Sequence, residues 1–141
     1  MPYRMMYSSQ ATAPLGVAGL QQILDDARAG NEAHDVTGVL VYVDGVFFQV
    51  LEGDREVVRR LMASIARDAR HHSVKVFHEA EAGERAFASW RMAFLSATAE
   101  QMSVWAGLPG TTTVEELLAD LGRDPRRAPG MLRSILETLA P

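Results

Sequence analysis

The sequence predicts an α+β domain of the ferredoxin-like class, and three observations carry that prediction. Short β-prone segments alternate with only two long helical patterns, giving the order β-α-β-β-α-β with a fifth strand; two helices cannot cover both faces of a doubly wound sheet. A hairpin is written into Val36 to Leu51, where Asp44-Gly45 interrupts two strongly β-prone runs. From Ser96 onward the alternation stops and three short helical patterns follow.

Tyr3 to Ser9 reads as a first strand, with Met5 and Tyr7 on one face and Met6 on the other. After the loop Gln10 to Pro14, the residues Leu20, Ile23, Leu24 and Ala27 recur at helical spacing, and Gly30-Asn31 is a stop signal. With Asp44-Gly45 as a two-residue turn, Tyr42 is set opposite Phe47 and Leu40 opposite Gln49, all four on one side of the sheet. Val41, Val43, Phe48 and Val50 fall on the other side. Both sides are apolar, so the hairpin is central and covered on both faces. Asp54 can cap a second helix whose inner stripe is Val57, Val58, Leu61, Met62 and Ile65. Val74 to Glu79 and Phe87 to Leu95 read as two further strands.

The tail patterns are Glu100 to Ala106, Val114 to Leu121 and Met131 to Leu139, separated by Pro109-Gly110 and Asp124-Pro125. They are expected to cap the sheet face that the two main helices leave bare. The reading is therefore a domain over 1–95 and a helical extension over 96–141.

Composition narrows the function classes. The chain has 141 residues, 48% of them apolar and 23% charged, which suits one folded domain with an appendage. A net charge of −4 gains little from a phosphate backbone, so nucleic acid is not an expected partner. The absence of cysteine excludes disulfides, thiolate nucleophiles and cysteinyl cofactor links. No segment approaches the roughly 20 apolar residues that span a bilayer, and no signal peptide is visible. A cytoplasmic protein is the default expectation. The four histidines show no metal-ligand spacing, and neither a Ser-His-Asp pattern nor a Gly-rich phosphate loop is present.

Gln49 is the most informative residue, because it sits in the otherwise apolar strand Val46 to Leu51 on the face the helices should cover. A buried amide left unpaired costs roughly 1–3 kcal/mol, so this one is either satisfied by its surroundings or aimed at a ligand. Tyr7 poses the same choice on the first strand. Asn31 reads as a helix cap, Arg28 as a solvated helix charge, and Asp68, Arg70 and His71 as the end of the second helix. Trp90 and Met92 alternate so as to share one face of the last strand.

Taken together these residues resemble the BLUF domains, sensors of blue light using FAD. The matching elements are Tyr7-Ser8-Ser9, Ile23-Leu24-Asp25-Asp26-Ala27-Arg28 running to Asn31, Thr37 to Tyr42, Gly45 to Gly53, Asp68-Ala69-Arg70-His71 and Phe87 to Met92. The resemblance covers about residues 3 to 95, and the closing helices are similar to those of short, single-domain members. It implies an isoalloxazine ring between the two helices, with Tyr7 and Gln49 as the photoactive pair and Asn31 on the pyrimidine edge. Leu24, Leu40, Phe47 and Ile65 would be apolar walls. Asp68, Arg70 and His71 would stand near the ribityl and phosphate side, with Arg28 a second phosphate partner. The family mechanism is electron transfer from Tyr7 to excited flavin, coupled to proton movement through Gln49, which ends with a rearranged amide. Trp90 and Met92 would relay the change to the helical cap. Gly30 stands where many members carry a polar or aromatic side chain, so a second side-chain contact at the ring edge is missing.

The resemblance implies a photoreceptor and not an enzyme, signalling through a downstream protein partner or a change of homo-oligomeric assembly. Three other readings use the same fold. An acylphosphatase-like hydrolase would need an arginine and clustered backbone donors after the first strand, where Ser8 to Pro14 offers neither Arg nor Gly. A flavin oxidoreductase would need room for a substrate and an acid-base group. A light-independent interaction module would be colourless.

Overall fold

The computed structural model of the chain describes residues 2–13, 15–107 and 113–139. In chain order the elements are β1 (Tyr3–Ala11), α1 (Val17–Ala33), β2 (Thr37–Val43), β3 (Val46–Gly53), α2 (Arg55–Ala66), β4 (His71–Glu81), β5 (Ala93–Ser96), α3 (Ala99–Trp105), α4 (Val114–Arg123) and α5 (Ala128–Leu139). The strands form one sheet in the order β4-β1-β3-β2-β5, antiparallel throughout except for β5, which runs parallel to β2. This is the ferredoxin-like arrangement with an added edge strand. The expected separator Pro109-Gly110 and the loop end Pro14 lie outside the described residues.

The hairpin register follows from its turn. Asp44 and Gly45 both take positive φ, 46° and 82°, which matches the twist of the flanking strands. Tyr42 pairs with Phe47 and Leu40 with Gln49, as the two-residue turn requires. Side chains then alternate between two buried layers. Leu40, Phe47, Tyr7 and Leu51 pack under α1 and α2 with Leu24, Val58 and Met62. Val41, Val43, Phe48 and Val50 face the opposite way, against Met102, Leu117, Leu121, Met131 and Ile135 of α3, α4 and α5. Asp54 caps α2 by accepting from the Val57 amide at 3.3 Å.

Three local expectations are corrected. First, α1 does not stop at Gly30-Asn31 but runs to Ala33, with His34 closing it by a backbone bond to Gly30 O. Asn31 is therefore inside the last turn and caps nothing. Second, α2 ends at Ala66, so Asp68 and Arg70 lie in the following turn and His71 opens β4. Third, the last strand is only Ala93–Ser96, not Phe87 to Leu95. The stretch before it folds into turns because its amides are taken elsewhere: Trp90 N donates to Phe87 O at 3.0 Å, and Ala86 N and Phe87 N donate to the Glu52 carboxylate. Trp90 and Met92 consequently do not share a face. Trp90 packs with the cap-side layer, whereas Met92 is buried in the layer under α1 and α2.

Candidate functional site

A cavity of about 350 Å³ opens between α1 and α2 above the central strands. Its floor is set by strand register. Tyr7 on β1 stands directly opposite Gln49 on β3, and Gln49 opposite Leu40 on β2, so one row across three strands points into the same space. A register shift in the β1–β4 pairing falls between Met6 and Tyr7, the kind of irregularity that re-aims a side chain beside a site. The walls come from helical spacing. Ile23, Ala27 and Asn31 line one stripe of α1, continued by His34 just past its end, and Leu61, Ser64 and Ile65 line the facing stripe of α2, continued by Asp68.

A chain of polar contacts starts at the floor and leaves it toward Met92. The Tyr7 hydroxyl donates to Gln49 Oε1, and Gln49 Nε2 donates to Met92 Sδ at 3.6 Å. Both Tyr7 and Gln49 are buried. Burial pushes the Tyr7 phenol well above its ordinary value, and the Asp68 carboxylate adds to that shift, so the hydroxyl keeps its proton at neutral pH. His71 sits edge-on to the rings of Tyr7 and Phe47, with centroids 6.4 Å from each. Its Nε2 lies 2.6 Å from Ile65 O and its Nδ1 lies 2.7 Å from Ser9 Oγ. A carbonyl can only accept, so the Nε2 atom carries a proton and the ring orientation is fixed.

At the mouth, Arg70 makes a forked contact with Asp68 and reaches Asp26 on α1 at 2.8 Å. This ties the α2–β4 turn to α1 across the opening. The Arg70 guanidinium beside Asp68 holds that carboxyl below its ordinary value.

Of the residues singled out in the sequence, Tyr7, Asn31, Leu40, Phe47, Gln49, Ile65, Asp68, Arg70 and His71 line this cavity. Leu24 is buried in the adjoining core and does not. Arg28, expected at a phosphate, is outside the lining and donates from Nε to Met92 O at 3.1 Å. Asn31 Nδ2 donates to Arg91 O at 2.5 Å. Sequence reasoning missed Asp26, Ala27, His34, Leu61 and Ser64 as lining residues, although the spacing from Ile23 through His34 contains the signal. It also missed Glu52, whose charge is wholly buried in β3.

The residues fit a planar heteroaromatic group. The slot has apolar walls and a hydrogen-bonding rim at Tyr7, Gln49 and Asn31, which suits a planar flavin ring, while the Arg70 guanidinium at its mouth is paired with Asp68 and Asp26. Residues 3–93 match the family model BLUF, sensors of blue-light using FAD. The chain belongs to the BLUF family. FAD is the cofactor by which that family is defined. Among related proteins, the photoactivated adenylate cyclase subunit beta of Euglena longa is 37% identical over 105 residues, covering 74% of this chain and 12% of that protein. The corresponding subunit of Euglena gracilis is 36% identical over 105 residues, again 74% of this chain and 12% of the relative. The BLUF chain thus spans about an eighth of those relatives. Two solved structures match over nearly their full length. BlsA in its photo-activated state gives a TM-score of 0.82 at 29% identity, covering 100% of this chain and 97% of that one. The BLUF protein BlrB in its dark state gives 0.76 at 25% identity, covering 98% and 97%. Among the described residues, no helix is long and apolar enough to cross a membrane, and no cluster of three metal-ligating side chains occurs.

Proposed function

We propose that this chain is a blue-light photoreceptor in which Tyr7 and Gln49 are the photoactive pair and a partner protein receives the signal. The observation that carries the reading is the continuous path from the Tyr7 hydroxyl through the Gln49 amide, both on the floor of the cavity between α1 and α2, to Met92 Sδ beyond it. FAD, when bound, supplies the absorption of blue light and an excited state that can take an electron. Leu40, Phe47 and Ile65 give the ring apolar contact and exclude water. Asn31 meets its pyrimidine edge, and Asp68, Arg70 and His71 attend the ribityl and phosphate side.

Tyr7 holds its proton at Oη, and that proton has one recipient, Gln49 Oε1. Loss of an electron makes a phenol strongly acidic, so the proton moves to Gln49 Oε1; return of the electron brings it back. Gln49 is the suitable relay, because its two ends occupy nearly the same volume with opposite hydrogen-bonding character. Rotation, tautomerisation or both exchange those ends, which alters the bond to Met92. The last segment, through Met92 and Trp90, then passes the change to the extension over 96–141 that covers the opposite face. A cytoplasmic setting and assembly with further copies of the chain belong to the same proposal.

The test is an absorption spectrum of FAD-loaded protein before and after blue light. A reversible red shift is expected. Tyr7→Phe and Gln49→Leu should each retain FAD and lose the shift entirely; a normal shift in either variant would remove that residue from the mechanism. A protein that loads no flavin would favour the interaction module.

A further inference from the structure

The segment that carries Met92 is held from an unexpected side. Glu52 lies at the end of β3, three residues beyond Gln49, with its carboxylate wholly buried on the cap side of the sheet. Its Oε2 accepts from Arg4 Nε and from Ala86 N, both at 2.9 Å, and its Oε1 accepts from Phe87 N at 2.8 Å. A buried charge is tolerated only where it is paired and hydrogen-bonded, and here two of its partners are successive backbone amides of one segment. From that anchor the chain turns at Phe87 and Trp90, where Gly38 N donates to Trp90 O at 3.1 Å. It then crosses to the other face, where Asn31 and Arg28 of α1 hold the carbonyls of Arg91 and Met92. Phe87 and Trp90 face the cap, and Met92 faces Gln49. The stretch therefore threads from one layer of the protein to the other, and Glu52 fixes its first fold.

We propose that Glu52 is a positioning residue: by clamping the Ala86 and Phe87 amides against β3, it sets the place of Met92 Sδ against the Gln49 amide. Glu52 touches neither Gln49 nor the cavity and acts only through the segment. The inference rests on the photoreceptor reading for its consequence, a light-state lifetime that depends on this carboxylate, but not for the placement itself.

The experiment uses the full chain loaded with FAD, with methyl-labelled methionine, in the dark. Met92→Ala assigns the Met92 methyl resonance. Glu52→Gln keeps the side-chain size, replaces one acceptor oxygen with a donor and so breaks one or both amide bonds. It should move the Met92 methyl resonance while leaving that of Met62 on α2 unperturbed. It should also change the dark-recovery rate by about threefold or more, yet add nothing once Met92 is alanine, the mark of two residues acting in series. If Glu52→Gln leaves too few folded molecules because Arg4 loses its counter-charge, Arg4→Gln with Glu52→Gln removes both charges at once. An unmoved Met92 resonance, or a recovery effect equally large with and without Met92, would overturn the proposal. If the unsubstituted chain shows no light-induced shift, the photoreceptor reading fails, while the methyl resonance still decides the role of Glu52.

Discussion

The two faces of the sheet are built from the same strands and differ in what they leave open. On the cap side, Val41, Val43, Phe48 and Val50 pack directly against Leu117, Met131 and Ile135. On the helix side the intervening residues, Leu40, Phe47 and Gln49, stop short of α1 and α2 and leave a cavity of about 350 Å³ with a phenol and an amide on its floor. Period-two alternation lets one strand serve both purposes, because each residue commits to a single face. One layer is closed by the chain's own side chains; under the proposed function, FAD completes the other.

The change expected to damage both faces at once is Gly38→Ala. A Cβ on Gly38 would stand 1.9 Å from Val50 O, so β2 and β3 could not keep their spacing. The cost should be about 3 kcal/mol or more, read as a fall in denaturant midpoint whether or not FAD is present. An unchanged midpoint would mean that the strands tolerate separation, and the shared-strand comparison would fail.

A second pair of variants separates the faces. Ile135→Ala empties space in the cap layer and should cost about 2–5 kcal/mol, by the same amount in the FAD-free and FAD-loaded protein. Ile65→Ala borders the cavity, so without FAD it removes few contacts and its cost should grow when FAD is bound. Thermal melts of both variants with and without excess FAD check this. Equal dependence on FAD at the two positions would show that the cap is as much a part of the cofactor site as the helix-side slot.

The parts legible from sequence are those set by local chemistry. Asp44-Gly45 admits a two-residue turn, which determines the facing of Leu40, Phe47 and Gln49, and the observed register follows. The helical spacing of Leu20, Ile23, Leu24 and Ala27 was equally legible, and α1 carries all four. What escaped was decided by distant partners. Phe87 to Leu95 alternates like a strand, but a carboxylate 34 and 35 positions earlier takes the amides of Ala86 and Phe87, and a turn forms instead. Gly30-Asn31 resembles a helix stop, yet the Asn31 amide is engaged by Arg91 O, 60 positions away, and the helix continues. Likewise the tie from Arg70 to Asp26 across the cavity mouth spans 44 positions and has no local signature. Tertiary hydrogen bonds outweighed propensity at each of these sites.

The smallest expected effect concerns protons at the cavity floor. The ordinary phenol pKa is about 10, and burial first, then Asp68, raises that of Tyr7 above it. The native chain therefore holds this proton where the unfolded chain has released it, so stability from Tyr7 is whole below about pH 10 and declines as pH rises above it. The cap layer described above holds no phenol, so the alkaline slope should be a property of the helix side alone. Denaturant midpoints at about pH 9 and about pH 11 should differ more for the natural chain than for Tyr7→Phe, since only the former loses a buried neutral phenol's advantage. If both chains decline equally, the Tyr7 hydroxyl titrates as an exposed phenol would. Its proton would then not be held against Gln49 Oε1 by burial, and the helix side would be wetter than its side chains imply.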